Sequence, residues 1–188
     1  MPRWSPVRPT IRKMDAAERA LAYAEIRQLA AAYAFHTDAK DIDALVQLYV
    51  PDVRISSSRS GRETLSGLMR DALRQVGVTF LNVGTHHIEL ADDGTTATGV
   101  VYCKAEIQDG GPDADRWIHH AIQYHDVYER RDGRWYFGAN RKHFLVYGLE
   151  VAERPLEQPP ANWPEHQTGR GTHPQALASW QRFFSDDE

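Results

Sequence analysis

Between Tyr33 and Pro51 the chain reads YAFHTDAKDIDALVQLYVP, which places Asp38 between two apolar helical stretches with a phenol one helical turn and a half before it. A carboxylate in apolar surroundings gains proton affinity and can then abstract, relay or orient a proton near neutral pH. A phenol such as Tyr33 can polarise a carbonyl or hydroxyl while keeping its own proton. The same residues also fit a purely structural role, because an aspartate in such a turn commonly ends one helix or caps the next. On the residues alone, capping is the favoured reading of Asp38, and Asp41 shares it. Further along, RWIHHAIQYHDVYER alternates with period two. It divides into Ile118, His120, Ile122, Tyr124, Asp126 and Tyr128 on one face and His119, Ala121, Gln123, His125 and Val127 on the other. The first set is the more apolar and is predicted to face inward. There His120 could take a proton as a neutral imidazole beside the phenol of Tyr124, or it could be a hydrogen-bonded core histidine. The nine histidines include no HxH or HExxH spacing, so no metal ligand is assigned. DGGPD has no following helix and no GxGxxG frame, which makes it a loop and not a phosphate cradle.

Composition limits what such groups could serve. A chain of 188 residues, 41% of them hydrophobic, is long enough for one sizeable core and short for two. With 22 Lys and Arg against 26 Asp and Glu, the formal charge of -4 supplies no net field toward nucleic acid or anionic membrane, and no partner of either kind is expected. A small, weakly polar ligand suits it better. The single cysteine, Cys103, can form no intramolecular disulfide, which fits a reducing compartment. The N-terminal MPRWSPVRPTIRKMD lacks an apolar run of signal length, and no run approaches the roughly 18 residues of a membrane span. The expected location is cytoplasmic.

Periodicity supplies the elements that must position these side chains. Ala22, Ile26, Leu29, Ala30 and Tyr33 recur at helical spacing and predict a first helix over 16–37. Asp41 can cap a second, carrying Ile42, Leu45, Val46 and Tyr49, which Pro51 must stop. VRIS from Val53 is expected as a short strand, and 62–76 as a third helix after Ser60 and Gly61. From Thr79 the period becomes two. TFLNVGTHHIEL, a turn at Gly94, and TATGVVYCKAEIQ make one hairpin. RWIHHAIQYHDVYER and RWYFGANRKHFLVYG, joined by RDG, make another. Helices followed by long strands predict an α+β domain over 16–149, with the helices on one face of a curved, mostly antiparallel sheet. Residues 1–15 form an extension. Residues 150–188, with five prolines, form an arm that ends in a short helix around Leu177 to Phe184. Its Trp163, Trp180, Phe183 and Phe184 predict that it covers apolar surface at a pocket mouth or on a neighbouring subunit.

The helix-helix-strand-helix-four-strand order, the Tyr33–Asp52 segment and YHDVYERRDGRWYF at 124–137 resemble the SnoaL-like family of the nuclear-transport-factor-2-like superfamily, over about residues 17–147. The resemblance implies a cone-shaped α+β barrel around one deep pocket, working without metal or organic cofactor. It implies catalysis by Asp38 and Tyr33, since dehydratases and a dehydrochlorinase of this fold carry an active-site aspartate at the first position and the bile-acid enzymes a tyrosine at the second. It also brings a departure, because Leu81 stands where those lyases carry the histidine partner of the aspartate. His86 and His87 are expected near the strand end, and His120 becomes the replacement base, with Tyr124 beside it and Ile122 in the lining. For VVYCKAEI the family pattern turns Tyr102 and Lys104 into the pocket as substrate contacts, whereas periodicity buries Val101, Cys103, Ala105 and Ile107 instead. Asn140, next to Arg141, falls near a polar pocket position. The implied activity is a lyase or isomerase, foremost a dehydratase, acting on a hydrophobic ring compound. The alternative is a ligand-binding or accessory subunit like that of the dioxygenases. The outer face with His119, Gln123 and His125 is expected to join a homodimer or higher homo-oligomer.

Overall fold

A computed structural model of the chain describes residues 13–139, 141–151 and 174–185. Most of the expected extension and arm, together with Trp163 and Asn140, lies outside the described residues. Helix α1, Ala16–Asp38, starts at a reciprocal cap: the Asp15 carboxylate accepts from the Glu18 N–H at 2.8 Å, and Glu18 accepts from the Asp15 N–H at 2.9 Å. It buries Ala22, Ile26, Leu29 and Ala30 of the expected stripe together with Ala34 and Thr37, and leaves Tyr33 partly buried. Helix α2, Ile42–Gln47, is capped by Asp41, whose carboxylate accepts from the Ala44 N–H at 3.1 Å. Helix α3, Arg62–Arg74, stops before the predicted end because Val76 already belongs to the sheet. The strand expected at VRIS does not form. Arg54 and Ser60 make an isolated bridge, and the Ser56 hydroxyl accepts from the Ser58 and Arg59 N–H groups, which bends the chain instead.

Strands β1 (Val76–Leu90), β2 (Thr96–Asp109) and β3 (Trp117–Arg131) form an antiparallel meander, and both β4 (Arg134–Phe137) and β5 (Lys142–Val151) pair with β3. The sheet curls as a half-barrel around α1, an α+β architecture as the sequence predicts. Asp132 and Gly133, with φ of 52° and 80°, make the two-residue turn between β3 and β4, the primed geometry that Asp-Gly favours. The second strand of this hairpin is broken. Phe137 donates its N–H to the Leu48 carbonyl and accepts from the Val50 N–H, so its backbone is shared with the segment after α2. The ladder on β3 resumes at Lys142.

The register sorts the side chains of the sheet into rows. On the concave face, Leu81 lies across from Ala105, which lies across from His120. Val83, Cys103, Ile122 and Leu145 form the next row, then His86, Val101, Tyr124 and His143. Irregular pairing between Val83 and His86 keeps both on this face. Ala30 of α1 packs with Val101, Cys103, Ala105, Ile122 and Tyr124 as one apolar cluster, with Tyr33, Leu81 and Val83 at its margin. Tyr102 and Lys104 alternate with the buried Val101, Cys103 and Ala105 and point outward, Tyr102 being 49% exposed. The pleat, with α1 covering one face, decides against the pocket position that the family pattern assigns to these two residues.

Helix α4, Ala178–Ser185, matches the short helix expected at the end of the arm. It packs on the helical layer of its own chain: Phe183 is buried in the main core between Arg70 and Arg74 of α3. Ser179 Oγ donates to the Ala39 carbonyl at 2.7 Å. Among the described residues no helix is long and apolar enough to cross a membrane.

Candidate active site

Asp38 closes α1 and Asp41 caps α2, so the two aspartates of the turn have different tasks. The Asp38 carboxylate reaches β1. Its Oδ1 accepts from the Thr79 hydroxyl at 2.8 Å and its Oδ2 from the Leu81 N–H at 3.0 Å. Position 81 therefore contributes a backbone donor and an apolar side chain. Burial pushes the Asp38 carboxyl up to about 6, against the opposing pull of the Leu81 N–H, the Thr79 hydroxyl and the Lys40 charge. Lys40 is buried, donates to Thr79 Oγ1 at 3.4 Å, and is pushed down to about 8 by burial, partly offset by Asp38.

A second charged centre lies on the same face. Arg141, in the gap between β4 and β5, stacks its guanidinium 3.7 Å from the Tyr33 ring centre, 4.3 Å from Tyr124 and 4.6 Å from Phe137. Its Nε pairs with Asp126 Oδ1 at 2.8 Å, and its Nη1 donates to the Tyr49 hydroxyl at 3.1 Å. Burial opposes this charge, but Tyr49, Tyr33 and Asp126 outweigh it and hold Arg141 charged. Asp126 also accepts from the Tyr128 hydroxyl at 2.9 Å, which leaves His86 Nε2, 3.0 Å from that oxygen, as the donor to it. Burial, reinforced by Arg27 and Arg141, pushes His86 down to about 4, so its ring is neutral at pH 7. Burial likewise pushes the Tyr124 phenol well above its usual range, and that group keeps its proton. Cys103 lies between the two centres: burial and the Asp38 charge push its thiol up to about 11, with Arg141 pulling the other way.

The structure thus brings Tyr33, Tyr124 and Arg141 together and sets Asp38 beside Leu81, with Ile122 and Cys103 on the apolar floor. His120 lies two strands from Leu81 in the same row, about 10 Å across the sheet at ordinary strand spacing. It adjoins Gly148, where a Cβ would come within 3.2 Å of its ring. His143 stacks on Tyr124 at 5.1 Å, and burial with the charge of Arg141 pushes its pKa down. Sequence reasoning passed over Lys40, Thr79, Asp126 and His143 as site residues and treated Arg141 merely as a neighbour of Asn140. One signal was present: an acid, Asp126, in an otherwise apolar period-two row needs a buried cation. Among the described residues no group of three His, Cys, Asp or Glu could hold a metal ion.

Residues 18–141 match the SnoaL-like domain. The chain belongs to the SnoaL-like domain family. Among solved structures, this SnoaL-like chain is similar to a provisionally named scytalone dehydratase from Novosphingobium aromaticivorans DSM 12444, with 17% identity and a TM-score of 0.62 over 78% of this chain and 100% of that one. A hexachlorocyclohexane dehydrochlorinase, LinA-type3 from Novosphingobium barchaimii LL02, gives 18% identity and a TM-score of 0.64 over 77% and 100%. ActVI-ORFA from Streptomyces coelicolor gives 20% and 0.51 over 66% and 96%. At such identities the likeness concerns the fold, which is nuclear-transport-factor-2-like. No curated protein matches the sequence.

Proposed function

We propose that this SnoaL-like domain is a lyase or isomerase that uses acid-base chemistry on a hydrophobic cyclic small molecule, with dehydration as its reaction and no cofactor. The observation that carries the reading is the Asp38 carboxylate, raised to about 6 at the edge of an apolar cluster and held by two donors. A base of that strength is largely ionised at neutral pH yet retains enough proton affinity to remove a proton from carbon. Elimination then releases the substituent with the bonding pair, and the leaving oxygen must gain a proton. Asp38 returns the one it took, or His120 supplies one from across the concave face. Negative charge developing on a substrate carbonyl is met by Arg141, fixed in advance by Asp126 and Tyr49, and by the hydroxyl groups of Tyr33 and Tyr124. The similarity in fold to a dehydrochlorinase and a provisionally named dehydratase supports the reaction class.

Leu81 favours a second reading, a small-molecule-binding or accessory subunit of the same fold, because it leaves Asp38 without an imidazole. Water loss from a panel of cyclic hydroxy-ketones, followed by mass spectrometry, tests the two readings. Asp38→Asn is expected to fold and to lower turnover roughly 10²-fold or more, with His120→Ala compared in parallel. If both variants fold and turn over at the wild-type rate, the acid-base site is wrong; absence of water loss from every member of the panel favours the binding reading.

A further inference from the structure

Lys40 combines two unfavourable choices at one position. Its φ is 54°, the left-handed region that favours glycine after a helix end and strains a residue with a side chain. Its side chain is also among the most completely buried in the chain, at 2% exposure, and burying an ammonium is unfavourable unless the charge is used. The hydrogen bonds show the use. An ammonium has no lone pair, so Lys40 Nζ donates to Thr79 Oγ1 at 3.4 Å, and the one proton of that hydroxyl goes to Asp38 Oδ1 at 2.8 Å. The direction of the chain from Lys40 through Thr79 to Asp38 is therefore fixed. The turn itself is clamped from outside, where Ser179 of α4 bonds the carbonyl of Ala39, the residue between them.

We propose that Lys40 is a positioning residue for Asp38: through Thr79 it orients the hydroxyl that donates to the carboxylate and supplies the positive charge that favours the ionised base. The inference rests on Asp38 being the proton-transfer group, but the coupling can be measured without a substrate. Other charges face the lysine. Asp41 at the cap of α2, Asp43 in its first turn, Arg70 of α3 and Arg182 of α4 line the recess that Lys40 borders on the helical side, and the Cys103 thiol senses Asp38 from β2. Asp38 differs from all of these in sharing the Thr79 hydroxyl with Lys40.

The test is an NMR titration of the full chain, following the ¹³C carboxyl resonance of Asp38 and the Cε resonance of Lys40. Lys40→Met is expected to raise the Asp38 midpoint by about half a unit to one unit, and Lys40→Arg to restore most of the difference. Coupling between two sites is reciprocal, so Asp38→Asn is expected to lower the Lys40 midpoint by a similar amount. An unmoved Asp38 midpoint in folded Lys40→Met, or an unmoved Lys40 midpoint in Asp38→Asn, overturns the proposal and leaves Lys40 a space-filling residue. Should Lys40→Met not fold, the Asp38→Asn measurement decides. If coupling is present while Asp38→Asn retains full turnover, the positioning stands and the catalytic reading of Asp38 fails.

Discussion

Folding favours the protonated form of Asp38. The folded value, about 6, lies above the ordinary carboxylate range, so this group contributes stability that is fully present below about pH 4 and is lost as the pH rises through 6. Lys40 behaves in the opposite sense: its folded value of about 8 lies below that of a free lysine, so stability returns as the pH rises from 8 toward 10.5. Asp38→Asn removes the first effect. Its stability relative to wild type is therefore expected to grow between pH 4 and pH 7, by on the order of 1–3 kcal/mol. Urea denaturation at pH 4, 5.5 and 7 measures it, and a difference that stays constant with pH would place the carboxylate in water. Apart from the family resemblance, the residues of the turn could not separate Asp38 from Asp41. Both are aspartates in one turn, and the distinction arises from Thr79 and Leu81, some forty residues away. Arg141 escaped notice for the same reason, since its partners Tyr33, Tyr49 and Asp126 come from three distant segments.

Among the elements, the local signals were legible: the stripe of α1, the Asp41 cap, the Asp-Gly turn and the alternation that turned His120, Tyr124 and Asp126 inward. What escaped was set by long-range contacts. The break after Phe137 follows from its bonds to Leu48 and Val50, and the irregularity after Val83 keeps His86 on the concave face against simple alternation. Helix α4 was legible as an apolar segment, but its seat on α3 was not. Because Phe183 is 3% exposed there, Phe183→Ala is expected to cost about 2–4 kcal/mol, and deletion of residues 155–188 to lower the melting temperature and increase binding of a hydrophobic dye. An unchanged melting curve for both would mean that α4 contributes nothing to the core.

At the scale of the whole molecule, a broad apolar surface stands out among the described residues. On the convex face Phe80, Tyr102, Phe144, Tyr147 and Leu149 are each about half exposed or more, surrounding the half-buried His119, Gln123 and His125. A patch of that kind suits contact with a second copy. Light scattering at micromolar concentration is expected to give a homodimer or larger assembly that Leu149→Glu together with Tyr147→Lys reduces to monomer; a monomeric wild type would refute it. The other consequence concerns Arg141 and the order of folding. Its charge is satisfied jointly by Tyr33 of α1, Tyr49 beyond α2 and Asp126 of β3. A partly folded chain that docks the sheet without the first two helices buries this cation with Asp126 alone of these three, or leaves Asp126 without it. Such states are penalised, so the guanidinium ties helices and sheet into one cooperative unit. In native-state hydrogen exchange, the slowest amides of α1 and β3 should open together, with one free energy and one denaturant dependence.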